Sequence, residues 1–343
     1  MPVDLRTVMQ MERQLTKAAS TPAGVTNLPV HFSTAERLPL FDRLFIYQRE
    51  RFPLLAHAPL IFAFSFSAVS YSSLLRGQGV LPDFLAVAVA FLSSLIFFLQ
   101  LRIADEFKDY EEDSRYRPYR PVPRGVVKLR ELGIIGLLGA ILQVSLAIWL
   151  KPALVILLLA AWAYLALMSV EFFARDWLKA RPFTYLWTHM LIMPLVDLYA
   201  TSCDWLVKGE NQPRGLVWFL AASFSNGVVI EIGRKIRAPH DEEAGVQTYT
   251  ALWGRRRAVA SWIVALAVTA LFALLAAREI NYLLPVYIIL ESLFIVASIV
   301  SLRFIIRPAS LPAKAFEMLS AIWTLAMYLI LGAAPLFRNQ HGI

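Results

Sequence analysis

The stretch A-D-E-F-K-D-Y-E-E-D (104–113), followed by R-Y-R-P-Y-R-P-V-P-R-G (115–125), lies at the end of an apolar segment long enough to cross a bilayer. Asp105, Asp109 and Asp113 recur every four residues, and Glu106 lies three before Asp109, so one helix would carry all four on one flank. Such like charges repel one another and are costly beside lipid, which indicates a compensating cation such as a divalent metal. The alternative is a solvated helix next to the membrane. The bordering apolar segment, the spacing and the basic run favour the metal site.

The composition indicates an all-α, polytopic membrane protein. Of the 343 residues, 58% are apolar, and several stretches approach or exceed the ~18 apolar residues that a membrane helix needs. The single cysteine, Cys203, excludes an internal disulfide and a cysteine-based zinc cluster. The net charge of +8 comes from cations at the ends of predicted helices, which indicates contact with anionic lipid rather than nucleic acid. No protein partner is inferred.

The hydropathy pattern predicts nine spans, at 53–75, 82–103, 132–150, 152–173, 183–203, 214–233, 257–277, 281–302 and 315–336. They form a membrane domain over 46–338, preceded by a polar extension at 1–45 that is amphipathic or disordered. Lysine and arginine concentrate in alternate connections, above all 104–131 and 234–257. By the positive-inside rule, these loops and the N-terminus are cytoplasmic and the C-terminus is outside. A bacterial inner membrane is the expected location.

The second long loop, E-I-G-R-K-I-R-A-P-H-D-E-E-A-G-V-Q-T-Y-T-A-L-W-G (231–254), again sets acidic residues beside basic ones. Glu231 and Lys235 are four residues apart, so an intrahelical ion pair is the ordinary explanation for both. The carboxylates at 241–243 are likewise compatible with a solvated turn. Two such loops on one side of the membrane favour a shared polar site.

These residues resemble the UbiA superfamily of intramembrane prenyltransferases. That family has nine membrane helices around a central cavity and two cytoplasmic motifs, N-D-x-x-D-x-x-x-D and D-x-x-x-D, which hold magnesium against an allylic diphosphate. The basic run is similar to the N-K-P-Y-R-P-I-P-S-G segment behind the first motif, which sets the register. Asp113 then takes the third aspartate, Asp109 the second, Glu106 the first and Asp105 the asparagine. All four remain oxygen ligands.

The second motif departs from the family pattern. D-E-E-A-G-V-Q-T resembles the family's D-x-x-x-G-x-x-T ending and puts Asp241 on the last aspartate, but Arg237 replaces the first. Two consequences are open. Glu231 substitutes as a metal ligand, or Arg234, Lys235 and Arg237 neutralise the diphosphate directly.

The resemblance implies a site with two kinds of residue, metal ligands and diphosphate partners. The predicted Mg²⁺ ligands are Asp105, Glu106, Asp109, Asp113, Glu231 and Asp241, with Asp109, Asp113 and Asp241 expected to be essential for catalysis. The predicted diphosphate partners are Arg117, Arg120, Lys179, Arg181, Arg234, Lys235 and Arg237. Any one of these cations has the alternative role of a membrane anchor on the cytoplasmic side.

Ionisable and polar residues within predicted spans mark the candidate acceptor pocket, because such residues are costly in lipid and face a cavity. They are His189, Asp197 and Asn226. His189 and Asp197 are eight residues apart, so one helix face would carry both, and a structural polar pair between helices is the alternative. Glu171 and Arg175, four apart, are expected to form an intrahelical ion pair instead.

The predicted function is magnesium-dependent transfer of an isoprenoid group from an allylic diphosphate to an aromatic or other hydrophobic acceptor in the membrane. One alternative is a terpene cyclase on the same scaffold, which would ionise the same diphosphate without an acceptor. The other is a membrane cation transporter. A transporter predicts carboxylates spread along a path across the membrane, whereas these cluster at one face.

Overall fold

The computed structural model describes residues 38–243 and 245–341. In these residues the chain is helical and contains no strand, which confirms the predicted all-α class. Residues 1–37, most of the predicted extension, lie outside the described part.

Fifteen α-helices make up the described chain, numbered here in chain order. They are α1 Leu40–Arg51, α2 Leu54–Leu75, α3 Phe84–Lys108, α4 Tyr110–Tyr116, α5 Leu129–Leu150, α6 Leu154–Ser169, α7 Arg175–Lys179, α8 Pro182–Met190, α9 Ile192–Trp205, α10 Leu216–Arg234, α11 Tyr249–Trp253, α12 Arg255–Glu279, α13 Leu283–Ile306, α14 Ser310–Tyr328 and α15 Ala334–His341. Glu171–Phe173 and Pro239–Asp241 are short 3₁₀ turns, and the π-helical segment Leu329–Ala333 joins α14 to α15.

Among the described residues, seven helical segments are long and apolar enough to cross a membrane. They are α2, α3, α5, α10, α12, α13 and the continuous Ser310–Arg338. The chain is therefore a multi-pass membrane protein. The predicted spans 152–173 and 183–203 correspond to shorter helices, α6 and the pair α8 and α9, which meet at Leu191. The total of nine spans stays a prediction.

Close helix packing sets the positions of the long helices. α10 packs against α12 and α14, α3 packs against α5, and α9 contacts both α3 and α10. The π-helical segment lies against α2, where a Cβ atom on Gly332 would overlap the backbone of Ser67. Small residues allow such close approach between membrane helices, because apolar side chains gain little by leaving lipid. α3 and α10 end, and α5 begins, at the same end of the bundle, where Gly133 of α5 lies beside Phe107 of α3. This end is here called the motif end.

A buried ion pair closes the opposite end. The Arg76 guanidinium, just after α2, donates to both carboxylate oxygens of Asp204 in α9, at 2.7 and 2.9 Å. Ser72 Oγ adds a third hydrogen bond to Asp204, at 2.7 Å. Buried charges are tolerated when they are paired and hydrogen-bonded in this way. This contact fixes the far ends of α2 and α9 and leaves the motif end to the remaining charges.

A cavity of about 10 Å³, with room for roughly one water molecule, lies between α3, α5, α6 and α9. Two of its polar lining groups, Ser94 Oγ and Gln143 Oε1, are buried without a hydrogen-bond partner among the described residues. A water molecule bound there would satisfy both. The full lining is Ser93, Ser94, Phe97, Gln143, Leu158, Ala161, Val196 and Tyr199.

Candidate active site

The acidic run is divided between two helices. α3 ends at Lys108 and α4 begins at Tyr110, with Asp109 between them at φ −97° and ψ 7°. The amide of Asp109 still donates to the carbonyl of Asp105 (2.9 Å), and the amide of Asp113 donates to the carbonyl of Asp109 (2.8 Å). Helical hydrogen bonding therefore continues across the break and keeps the carboxylates close together.

Glu106 is paired with an arginine from α1. Its side chain is only 1% exposed, and its Oε1 accepts a hydrogen bond from Arg51 Nε at 2.6 Å. A buried carboxylate requires such a partner, because its desolvation is otherwise uncompensated. The predicted first ligand of the motif therefore also fastens α1 to α3.

Asp113 is bound by two predicted diphosphate partners. Its side chain is 2% exposed, with Oδ2 at 2.5 Å from Arg120 Nη1 and Oδ1 at 3.2 Å from Arg117 Nε. One carboxylate between two guanidinium groups leaves this triplet with a net positive charge. Arg117 and Arg120 are thus held beside the motif, where their excess charge favours an anion.

Asp105 and Asp109 are less completely paired. The carboxylate of Asp105 is 3.6 Å from Arg102 and 3.6 Å from Lys108, beyond hydrogen-bond range. Asp109 forms no ion pair with any side chain in the described ranges. Burial raises the pKa of the Asp109 carboxyl; Lys108 opposes the shift, and the negative charges of Asp105, Asp113 and Glu112 add to it. A half-buried carboxylate with other carboxylates around it favours a bound cation.

Two further predicted diphosphate partners, Lys179 and Arg181, contact other side chains of the protein. Lys179 of α7 donates to Glu112 Oε1 of α4, and this hydrogen bond lowers the pKa of Glu112. The guanidinium of Arg181 lies 4.5 Å from the centre of the Trp177 ring, a cation–π contact. Lys179 therefore joins α7 to α4, whereas Arg181 stays near the surface.

In the second motif, Glu231 is bound by the two cations that follow it. Glu231 Oε2 lies 2.5 Å from Arg234 Nη2, and Oε1 lies 2.7 Å from Lys235 Nζ. These are intrahelical contacts at spacings of three and four residues, as the ordinary explanation of the sequence predicts. Like Asp113, Glu231 is paired with two cations, so the group formed by Glu231, Arg234 and Lys235 also has a net positive charge.

Beyond α10 the loop points its motif residues in different directions. Asp241 Oδ1 accepts a hydrogen bond from Ser310 Oγ at the start of α14, at 2.9 Å. The backbone amide of Arg237 donates to Thr250 Oγ1 at 3.0 Å. The half-buried guanidinium of Arg237 has no ion pair or hydrogen bond with a described side chain, so its charge is not neutralised by a neighbour.

The two motif loops meet at the motif end. Asp105 of α3 lies within electrostatic range of Arg234 of α10. Tyr249 of α11 packs beside the second motif, where burial raises its pKa, the charge of Glu231 raises it further and Arg234 lowers it. The structure thus brings the first motif and the Glu231 group together, while Asp241 contacts α14.

The predicted acceptor residues fall into separate contacts. His189 is at the motif end, where Nε2 is 3.3 Å from Glu171 Oε2. Asp197 is fully buried in the bundle and accepts a hydrogen bond from the Tyr328 hydroxyl at 2.7 Å. Asn226 Oδ1 accepts a hydrogen bond from Thr324 at 3.1 Å. Because α8 ends at Met190 and α9 begins at Ile192, His189 and Asp197 lie on different helices and have different partners.

The predicted ion pair between Glu171 and Arg175 is wrong. Glu171, Phe172 and Phe173 adopt left-handed backbone angles with φ of 52°, 52° and 57°, which ends α6 and removes the four-residue helical spacing. Arg175 contacts Glu112 instead, at 3.7 Å. Glu171 accepts a hydrogen bond from the Tyr185 hydroxyl at 3.1 Å. Three successive left-handed residues without glycine leave no recognisable pattern in the sequence, so this position was missed.

Comparison with known proteins identifies the fold. The profile of the UbiA prenyltransferase family matches residues 64–325, more than half of the chain. The family resemblance predicted from the two motifs is thereby confirmed. No curated protein sequence matches the chain significantly.

Solved structures share the fold at low sequence identity. The apo structure of a UbiA homologue from Aeropyrum pernix K1 has a TM-score of 0.59 and 15% identity, over 80% of this chain and 95% of that one. A UbiA homologue from Archaeoglobus fulgidus bound to GPP and Mg²⁺ has a TM-score of 0.52 and 15% identity, over 83% and 99% of the two chains. A structure of a digeranylgeranylglyceryl phosphate synthase has a TM-score of 0.53 and 15% identity, over 86% and 99%.

Proposed function

Because this chain belongs to the UbiA prenyltransferase family, we propose that it transfers an isoprenoid group from an allylic diphosphate to an aromatic acceptor in the membrane, with Mg²⁺ as cofactor. The observation that carries the proposal is the position of Asp109. It lies half-buried at the break between two helices, near the carboxylates of Asp105, Asp113 and Glu112 and without an ion-pair partner in the described chain. A cation there would relieve the repulsion, and a diphosphate would bring further oxygen ligands.

The donor set fits magnesium in part. Asp105 and Asp109 have carboxylate oxygens without a hydrogen-bond partner in the described ranges, and oxygen ligands of this kind suit Mg²⁺. Glu106 and Asp113 are engaged by arginines. Among the described residues no three His, Cys, Asp or Glu side chains lie close enough together to hold a metal by themselves. In the proposal, phosphate oxygens and water would complete the coordination of Mg²⁺.

We assign Asp109 and Asp105 as the main metal ligands, with Asp113 beside them. When bound, magnesium neutralises charge on the diphosphate oxygens and makes the group easier to release. Asp241 is turned toward Ser310 and would have to rotate before it took part. Glu106 keeps its bond to Arg51 in this assignment and acts on the position of α1.

In the proposal, arginine and lysine side chains of the two motifs bind the diphosphate. The triplet of Arg117, Asp113 and Arg120 is net positive, and so is the group that Arg234 and Lys235 form with Glu231. Arg237, unpaired among described side chains, adds a further cation in the second motif. Preorganised cations stabilise the negative charge that develops on a phosphate leaving group. In the proposal, these residues supply such cations from both motifs.

The motif end faces the cytoplasm in this proposal, because the basic loops 104–131 and 234–257 lie there. A bacterial inner membrane is the proposed location. The isoprenoid chain would extend from the motif end between apolar helices, in contact with lipid.

Incubation of the purified protein in nanodiscs with radiolabelled geranyl diphosphate, Mg²⁺ and a panel of phenols tests the function. A prenylated phenol, formed with Mg²⁺ and lost on chelation, is the expected result. Cyclic hydrocarbon or alcohol products without a phenol would replace the proposal with a terpene cyclase. Metal-dependent ion flux in liposomes without turnover of geranyl diphosphate would replace it with a transporter.

A further inference from the structure

A lysine lies among the carboxylates of the first motif. Lys108 stands at the second unspecified position of N-D-x-x-D, directly before Asp109, and the motif assigns it no role. Its Nζ atom is 3.6 Å from Asp105 Oδ1 and 3.7 Å from Glu171 Oε1. Burial raises the pKa of the Asp109 carboxyl, and the charge of Lys108 opposes this shift. A cation of the protein therefore lies directly beside the assigned metal ligands.

The ammonium group of Lys108 has hydrogen-bond donors to spare. An ammonium carries three N–H donors, and one of them donates to the Tyr185 hydroxyl at 3.1 Å. The two carboxylates lie beyond hydrogen-bond range, so the other donors have no partner among the described residues. The side chain is 11% exposed, which leaves little access for water. Unused donors on a largely buried cation are costly, and oxygens of a bound ligand would satisfy them.

The position of Lys108 is set from outside the two motifs. The Tyr185 hydroxyl, which accepts from Lys108, also donates to Glu171 Oε1 at 3.1 Å. Glu171 begins the left-handed turn at 171–173, a strained backbone that persists only where its surroundings hold it. The end of α6 and the side of α8 thus hold the ammonium in place. A cation held in this way needs no reorganisation when an anion binds.

The carboxylates of the two motifs offer ligands for one metal ion. Asp105 and Asp109 are the assigned ligands, and Asp105 has no side-chain cation within hydrogen-bond range in the described chain. In the second motif, Glu231 is paired with two cations of its own helix. Asp241 Oδ1 accepts a hydrogen bond from Ser310. Both predicted ligands of the second motif are therefore engaged, and the pair in the first motif accounts for a single ion.

We infer that Lys108 binds the diphosphate directly, as a fixed cation beside a single Mg²⁺ ion held by Asp105 and Asp109. The inference rests on the diphosphate-binding part of the proposed function. The unused N–H groups of Lys108 donate to diphosphate oxygens, in the place that a second metal ion would take. When the C–O bond of the allylic diphosphate breaks, its electron pair leaves with the diphosphate. The ammonium keeps its protons and stabilises the added charge through these hydrogen bonds.

This assignment predicts two properties of the site. The contact with Lys108 does not depend on a metal, so this part of the affinity for the diphosphate survives chelation. The complex with a diphosphate also contains a single metal ion, because the lysine already supplies the other cation. Both properties are measured by binding, without turnover.

Counting Mn²⁺ ions in the wild type tests the single metal ion. Mn²⁺ replaces Mg²⁺ and is detected by electron paramagnetic resonance. Geranyl thiolodiphosphate, whose C–S bond resists cleavage, is the ligand, and nanodiscs of phosphatidylcholine avoid binding of Mn²⁺ to anionic lipid. A single Mn²⁺ ion per chain is expected at saturation. A second ion per chain would overturn the inference, and this measurement needs no variant.

Lys108→Met tests the direct contact, because methionine keeps most of the length of the side chain and removes its charge. In EDTA, the Kd for geranyl thiolodiphosphate should rise roughly 30-fold, the scale for losing charge-assisted hydrogen bonds. Lys208→Met is the matched control, since it removes an exposed lysine at the opposite end of the bundle, and its Kd should equal that of the wild type. An unchanged Kd in Lys108→Met would overturn the inference.

A lysine with a purely structural role would respond differently. If Lys108 only neutralised Asp105 and Glu171, its loss would lower the thermal unfolding midpoint and leave the Kd in EDTA unchanged. Lys108→Arg keeps a cation with N–H donors at this position and should recover most of the affinity that Lys108→Met loses. A Kd for Lys108→Arg as weak as that of Lys108→Met would assign the loss to packing and refute the direct contact.

The inference and the proposed function can fail separately. If the wild type prenylates a phenol but binds a second Mn²⁺ ion, or if Lys108→Met keeps the wild-type Kd in EDTA, the inference fails and the proposed function stands. If the wild type converts geranyl diphosphate into cyclic products, the proposed transfer fails, and the Mn²⁺ count and the Kd values still decide the role of Lys108. If the wild type does not bind geranyl thiolodiphosphate with Mn²⁺ present, both fail.

Discussion

At the scale of single residues, the candidate site is distinguished by which carboxylates have partners. Glu106, Asp113 and Glu231 each bind one or two cations of the protein, whereas Asp109 has none in the described ranges. Paired and unpaired carboxylates should therefore respond differently to substitution. Removing a paired one leaves a cation behind, and removing an unpaired one takes away only a ligand.

Asp109→Asn should abolish prenyl transfer while the protein still folds. The amide of Asn has nearly the same shape as the carboxylate of Asp but lacks its negative charge, so it binds Mg²⁺ poorly. Turnover of geranyl diphosphate should therefore fall at least about 100-fold, and thermal stability should not decrease. Glu111→Gln, an exposed position in the same acidic run, is the control and should keep the wild-type rate. Turnover retained by Asp109→Asn would remove the assignment of Asp109 as a ligand.

Arg237 occupies the position of the missing aspartate, and its charge is unpaired among described side chains. Arg237→Ala should weaken binding of geranyl diphosphate about tenfold, the effect of losing one partly screened charge contact with phosphate. Measuring Kd with and without Mg²⁺ separates a direct contact from a metal effect, because a direct contact persists on chelation. Arg256→Ala, at the exposed start of α12, is the matched control. Equal Kd values for both variants would refute a role for Arg237 in binding.

At the scale of helices, the ion pair between Arg51 and Glu106 holds α1 against α3. Both side chains are largely buried, at 13% and 1% exposed. α1 is attached at other points as well, by the ion pair of Arg43 with Glu131 of α5 at 2.5 Å and by the buried Tyr47, so the Arg51 pair is one of several contacts that hold this helix. Glu106 was predicted to bind the metal, but in the structure its carboxylate binds Arg51 instead.

Glu106→Gln should destabilise the protein by roughly 3 kcal/mol, since it leaves the Arg51 guanidinium buried without a counter-charge. The double variant Arg51→Gln and Glu106→Gln should recover most of this loss, because two neutral amides can bond to each other. Thermal unfolding in detergent followed by tryptophan fluorescence measures both. Additive losses in the double variant would show that the two side chains do not act as a pair.

The sequence predicted the long helices well and the breaks between them poorly. The spans beginning near 53, 82 and 257 follow from uninterrupted apolar runs, which only a helix can place in lipid. The left-handed turn at Glu171 and the division of 183–203 at Leu191 depend on neighbouring helices, and these contacts leave no local pattern. For the same reason, the motif spacing predicted the acidic cluster but not the arginine from α1 that binds Glu106.

At the scale of the whole molecule, charge is distributed unequally between the two ends of the bundle. The motif end carries both acidic motifs and most of the basic connections, whereas the opposite end is closed by the Arg76 and Asp204 pair. A diphosphate is made in water and has high charge, so its receptor must open to the compartment that supplies it. In the proposed topology, the positive-inside rule predicts that this compartment is the cytoplasm.

Cysteine labelling can test this orientation directly, because the only native cysteine, Cys203, is fully buried and should not react. Ser114 is exposed in α4 at the motif end, and Gln212 is exposed in the connection before α10 at the opposite end, so each can be replaced by cysteine as a labelling site. With a membrane-impermeant maleimide, Ser114→Cys should label in inside-out vesicles and Gln212→Cys in right-side-out vesicles. The wild type should stay unlabelled in both until detergent unfolds it. The reverse labelling pattern would place the site outside the cell, where an intracellular isoprenoid diphosphate could not reach it, and would contradict the proposed reaction together with the topology.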